Sequence, residues 1–167
     1  SNVWPIIIDS KNQVLSFPPI INGEITRVSS RTKNIFIDIT GTDEIAVNQA
    51  LNIIVTAFAD RNCNIETVEF SGFIKNVLPD LSPTKMKVSI DYVNKLLDMD
   101  LSQKEFAELI SKMGYGFEKG SVIIPCYRTD VMHPIDIVED VAIAHGYENF
   151  DPKIPRVPTI AKRSDKK

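Results

Sequence analysis

The stretch that most constrains this chain is Ile124 to Tyr147, IPCYRTDVMHPIDIVEDVAIAHGY. It closes an apolar run, Val122-Ile123-Ile124, that Pro125 stops. A polar segment with Arg128 and Asp130 follows, and His133-Pro134 leads into a helix. Pro134 suits the first helical turn, where a missing N–H costs nothing, and Gly146 supplies a stop signal. Ile137, Val138, Val141, Ala142 and Ala144 recur at helical spacing and predict a buried stripe. Asp136, Glu139 and Asp140, at i, i+3 and i+4, are predicted to share the opposite, wet side of the first turns.

Two readings fit those acids. Anions in a first helical turn complement the backbone dipole, each by about 0.3–1 kcal/mol. Alternatively they hold a hard cation, since Mg²⁺ is bound by one or a few carboxylates with water filling the remaining positions. Asp130, six residues upstream of Asp136, supplies a fourth oxygen ligand if the loop folds back. Arg128 has a similar pair of roles: a structural partner of a nearby carboxylate, or a grip for phosphate or a partner's carboxylate.

Toward the N-terminus, Val3–Ile8, Val14–Phe17, Ile25–Val28 and Ile35–Ile39 predict short strands, punctuated by Asp9–Gln13, Pro18-Pro19 and Asn22-Gly23. Thr42 or Asp43 caps a long helix running to about Arg61. Its apolar positions Ile45, Val47, Leu51, Ile54, Val55 and Phe58 are so broadly spread that it is predicted to pack in a core. Ile65–Phe70 reads as a returning strand. Asp80–Thr84 has linker composition, which divides the chain into 1–80, 81–160 and a basic tail, 161–167, read as a solvated end.

Beyond that linker, Met86–Ile90 predicts a strand, and Asp91 opens a helix, Tyr92–Leu97. Ser102 and Glu105 form a capping box for a second helix with Phe106, Leu109, Ile110 and Met113 inward. Tyr115–Glu118 and Ser121–Ile124 predict a hairpin around Lys119-Gly120. The class is therefore α+β: short strands with one long helix, then a small winged-helix-like module of strand, two helices, hairpin and helix. Recognition helices that read DNA are rich in Lys and Arg. Here Ser102–Met113 balances two lysines with two glutamates, and Ile135–His145 has neither Lys nor Arg, so sequence-specific DNA binding is not expected.

The net charge of −3 does not mark a general polyanion binder. Two distant cysteines, Cys63 and Cys126, exclude a CxxC zinc pattern and fit a reducing compartment. Nothing reads as a membrane span or signal peptide, so a cytoplasmic location is expected. The Ser1-Asn2 start reads as a cloning remnant on an excised piece. No P-loop, GxSxG or dinucleotide fingerprint occurs, and His133 and His145 stand outside any triad-like pattern. No catalytic residue is assigned.

Pro125-x-x-Arg128-x-Asp130, followed by Asp136-Ile137-x-Glu139-Asp140-x-Ala142-x-x-x-Gly146-Tyr147, resembles a segment of the beta subunit of phenylalanyl-tRNA synthetase. It is similar to that family's winged-helix-like module, often labelled DNA-binding. Leu15 to Asn22 (LSFPPIIN), followed by Thr32-x-Asn34-Ile35-Phe36-Ile37-x-Ile39-Thr40-Gly41-Thr42-Asp43, resembles the editing-type module of eukaryotic and archaeal members. That module hydrolyses wrongly formed Tyr-tRNA in the family. Only its C-terminal portion would be present, with an incomplete pocket; Glu24 is either a pocket-lining acid or a solvated turn residue. The resemblance implies Mg²⁺ ligands at Asp130, Asp136, Glu139 and Asp140. It also implies an alpha2–beta2 tetramer that joins phenylalanine to tRNA(Phe) with ATP, with the synthetic site in the alpha subunit. The fragment itself would be structural and alpha-contacting. The rival reading is a freestanding winged-helix nucleic-acid-binding module.

Overall fold

The structure, a computed structural model, describes residues 4–70 and 76–153; the basic tail at 161–167 lies outside them. The chain separates into two units. One takes the chain up to Pro83 together with Cys126–Thr129, and the other takes Thr84–Pro125 and the residues from Asp130 onward.

In the first unit, β1 (Ile7–Ile8), β2 (Val14–Phe17) and β3 (Ile21–Asn22) form an antiparallel sheet in that order. The register sets Ser16 opposite Asn22, and the Ser16 hydroxyl reaches the Asn22 side chain at 2.9 Å. Helix α1 (Glu44–Ala59) starts where Asp43 accepts a hydrogen bond from the Ala46 N–H at 2.8 Å, which satisfies one of the orphan donors of the first turn. β4 (Val68–Phe70) and β5 (Asn76–Leu78) pair antiparallel.

Three expectations for this unit are corrected. The expected strand Ile25–Val28 is instead overlapped by a 3-10 turn, Glu24–Thr26, because the Thr26 N–H bonds back to the Gly23 carbonyl. Ile35–Ile39 alternates like a strand but is not one; a β run needs a ladder partner for its backbone groups, and none of the sheets of the described residues includes it. The broad apolar face of α1 is not packed in a core: Val55 is its one buried residue, and Ile45 is 70% exposed.

The second unit holds a continuous core. β6 (Thr84–Lys87), β8 (Ser121–Ile124) and β7 (Gly116–Glu118) form an antiparallel sheet in that order. Between β6 and β7 lie α2 (Ile90–Leu97) and α3 (Gln103–Lys112), and α4 (Pro134–His145) follows β8. The order strand, helix, helix, hairpin, helix is the predicted one. Strand β6 ends earlier than expected because the Ser89 hydroxyl caps α2 through the Tyr92 N–H, so the helix opens at Ile90. The Asn94 side chain both donates to the Leu101 carbonyl, at 3.1 Å, and accepts from the Leu101 N–H, at 2.9 Å, which shapes the turn between α2 and α3. Lys119 and Gly120 both have positive φ, 48° and 76°, the conformation a two-residue hairpin turn needs. Val93, Phe106, Ile110, Val122, Ile137 and Val141 are fully buried together, and Phe106 meets Phe117 edge-on at 5.5 Å.

Candidate functional site

Helix α4 carries the acids singled out in the sequence. His133 is its N-cap, in extended conformation, and Pro134 occupies the first turn as expected. Asp136 turns back over the helix start. Its Oδ2 accepts from the His133 N–H at 2.7 Å and from the Met132 N–H at 2.8 Å. Those two backbone bonds, the His133 one foremost, hold the Asp136 carboxyl below its ordinary value, while partial burial and the negative charge of Asp130 push the other way. Asp130 and Asp136 are therefore electrostatic neighbours, and Asp136 stays ionised at neutral pH.

Asp140 behaves differently. It is 7% exposed and is the one buried charged residue among the described residues. The Tyr115 hydroxyl, itself buried, donates to Asp140 Oδ2. Tyr115 stands directly after α3, where Gly114 takes a φ of 85° and the Tyr115 N–H bonds to the Ile110 carbonyl at 3.1 Å. This corrects the expectation of one wet acidic flank: Asp140 points into the core, Asp136 is half-buried and Glu139 is exposed, as is Asp130. The reason is angular. At about 100° per residue, Asp140 sits only about 60° around the helix from Ile137, whereas Glu139 sits about 160° away. Tyr115 is the residue that sequence reasoning missed, and that angle was the available signal.

Among the described residues no three His, Cys, Asp or Glu side chains come together as a metal-holding group. The four carboxylates are chemically suited to a hard cation, but this chain alone does not preassemble them into a cage. Arg128 is half-buried and has an interaction partner. Beside the start of α4, a shallow groove of about 340 Å³ is lined by Lys87, Ser89, Tyr92, His133, Pro134 and Ile135. Tyr92, Ile135 and neighbouring Met132 are 41%, 47% and 71% exposed, so this end of the unit offers apolar contact area with Lys87 at its edge. No helix of the described residues is long and apolar enough to cross a membrane.

Residues 86–147, which hold the paired helices, the hairpin and acid-bearing α4, match the tRNA synthetase B5 domain family. The rest of the likeness is more particular. The chain is 44% identical over 165 residues to the phenylalanine–tRNA ligase beta subunit of Methanothrix thermoacetophila, covering 95% of this chain and 30% of that protein. It is 44% identical over 162 residues to the beta subunit of Pyrococcus furiosus, covering 92% and 29%. In structure it resembles an N-terminal fragment of the phenylalanyl-tRNA synthetase beta subunit from Pyrococcus horikoshii. There the TM-score is 0.79 and the identity 44%, over 86% of this chain and 43% of that one. The chain is thus similar over nearly its whole length to a segment of phenylalanine–tRNA ligase beta subunits, and it spans under a third of the length of these curated relatives.

Proposed function

We propose that this chain serves as a structural part of a phenylalanine–tRNA ligase, an alpha2–beta2 cytoplasmic enzyme that joins phenylalanine to tRNA(Phe) at the expense of ATP. The observation that carries the reading is the B5 match over residues 86–147 inside a likeness to beta subunits that runs through nearly the whole chain. On this reading the second unit buttresses the enzyme and meets the alpha subunit, and the exposed Tyr92, Met132 and Ile135 around the groove are contact residues of the right character. Buried aromatic and aliphatic anchors carry most interface energy. The segment 1–80 is read as the C-terminal portion of the editing-type module.

Mg²⁺ enters the same proposal as an ion held by Asp130, Asp136, Glu139 and Asp140 once the assembly brings further oxygen donors. Support comes from the donor type, from the ionised Asp136, and from the closeness of Asp130 to it. The ion would supply fixed positive charge that neutralises these acids; orientation of Asp136 and Asp140 comes from the Met132 and His133 N–H groups and the Tyr115 hydroxyl.

The test is an aminoacylation assay with ATP, Mg²⁺, phenylalanine and tRNA. This chain alone is expected to form no Phe-tRNA, and the alpha subunit with a full-length beta subunit is expected to form it. Deleting residues 84–147 from that beta subunit should abolish assembly with the alpha subunit. Product from the isolated chain, or unimpaired assembly after the deletion, defeats the proposal. Calorimetry with Mg²⁺ on the assembled enzyme and on its Asp136→Asn plus Asp140→Asn form tests the ion; identical titrations remove it.

A further inference from the structure

Helix α4 is covered on most of its circumference, and only Pro134, Ile135, Glu139 and Ile143 are exposed. Ile135, Glu139 and Ile143 follow one another at i, i+4 and i+8, so they line one strip about 12 Å long. The strip that a packed helix leaves to water is ordinarily polar. This one is apolar at both ends, where Ile135 is 47% and Ile143 46% exposed. Met132 and Tyr147, 71% and 63% exposed, stand just outside the two helix ends. An aligned set of uncovered apolar side chains marks a site of contact. The single charge on the strip is Glu139 at its centre, and α4 itself supplies no Lys or Arg to meet it. Ile135 also lines the groove beside Tyr92 and Pro134, so groove and strip are continuous.

We infer that this strip of α4 is a docking seam for a helix of the alpha subunit, one that carries two apolar side chains seven or eight residues apart and a Lys or Arg midway between them. The spacing follows from the strip. Seven or eight residues of helix rise about 10–12 Å, so the two apolar side chains reach Ile135 and Ile143 while the base falls opposite Glu139. Charge selects the occupant. A second copy of this chain is the wrong one, because two-fold pairing along the strip, in either direction, brings the two Glu139 carboxylates face to face, and like charges across an interface are costly. A nucleic acid needs cations for its phosphates, and a helix lying on a membrane needs basic residues on its polar face; α4 has no Lys or Arg for either. One acid that must meet one base also fixes the register of a separate chain. The inference rests on the alpha-subunit contact proposed above and extends it from the groove along the helix. A carboxylate accepts in about four directions, so a base on one Glu139 oxygen leaves the other to a cation.

Photo-crosslinking in the assembled enzyme tests it, with p-benzoylphenylalanine in a full-length beta subunit at the position of Ile143 or, as a control, of Glu108, which is exposed on α3. The Ile143 probe is expected to label an alpha-subunit helix that holds Lys or Arg between two apolar residues, and the Glu108 probe is not. Glu139→Lys should raise the Kd of alpha–beta assembly about tenfold or more, since it sets like charges against each other. Glu108→Lys should leave that Kd unchanged. Changing the labelled base of the alpha subunit to Glu should restore assembly with Glu139→Lys, which loss of a bound cation alone would not allow. Absence of alpha-subunit label from the Ile143 probe overturns the inference, as does label on the second beta chain or elsewhere in the same beta chain. A labelled alpha segment without a base, or a charge reversal that fails to restore assembly, also overturns it. If removing residues 84–147 abolishes assembly while Glu139→Lys assembles like Glu108→Lys, the seam falls and the alpha-subunit contact stands. If that removal leaves assembly intact, both fall.

Discussion

Tyr115 and Asp140 form the most consequential polar pair of the described residues. A carboxylate 7% exposed among Ile137, Val138 and Val141 has lost its water, and leaving it without a partner costs several kcal/mol. The Tyr115 hydroxyl offsets part of that cost, and it comes from the turn after α3 rather than from α4 itself. The pair thus adds a directional bond to the apolar packing of α3 against α4. Tyr115→Phe keeps the ring and its packing but withdraws the donor. It should destabilise the unit by about 1–3 kcal/mol, read as loss of amide protection over Pro134–His145. Asp140→Leu together with Tyr115→Phe should recover part of that loss, because the buried carboxyl that lost its hydroxyl donor is then gone as well. A double variant no better than the single one contradicts the pairing.

At the scale of elements, capping chemistry explains why the second unit was legible in sequence. Ser102 accepts from the Glu105 N–H, and the Glu105 side chain takes the Ser102 N–H at 2.8 Å and the Ser102 hydroxyl at 2.6 Å. That reciprocal bonding needs only residues three apart, so it is written locally; the same holds for Lys119-Gly120 in its hairpin and Pro134 in the first turn of α4. What sequence did not show depends on partners far along the chain. Ile35–Ile39 has strand composition without a ladder partner among the described residues, α1 has core composition with one buried residue, and Asp140 reads as a surface acid until Tyr115 is brought beside it. Ser102→Ala should cost the unit about 1 kcal/mol, measured by urea unfolding followed through α3 amides. The bonds from Ser102 hold the Glu105 carboxyl below its ordinary value. The stability it confers is therefore complete above the usual carboxylate range and disappears as pH falls through the depressed value. Glu105→Gln should then differ from the native protein near neutrality and converge with it in acid. A gap that widens on acidification contradicts the assignment.

For the whole molecule, charge separates the ligase-segment proposal from a freestanding nucleic-acid module. Binding to a nucleic acid through phosphate contacts releases condensed counterions, so affinity falls with the logarithm of salt at a slope of about −0.7 to −0.9 per contact. A basic face is what produces a steep slope. In this chain residues 1–82 carry 9 acids and 6 bases, and the 83–167 half balances 13 against 13. Of the two α3 lysines, Lys104 lies 3.9 Å from Glu108, on the helix a winged-helix protein would offer to DNA. α4 adds acids and no Lys or Arg. The chain should therefore bind tRNA or duplex DNA weakly, with a salt slope of magnitude no more than about 2, and Lys104→Ala should alter it little. A module built to hold nucleic acid by itself would instead show a slope several times steeper, reduced by about one unit for each phosphate-contacting lysine removed. A fluorescence titration across salt concentrations distinguishes the two, because the slope counts contacts whatever the absolute affinity. A steep slope would favour direct gripping of nucleic acid over the proposed role of buttressing a larger enzyme.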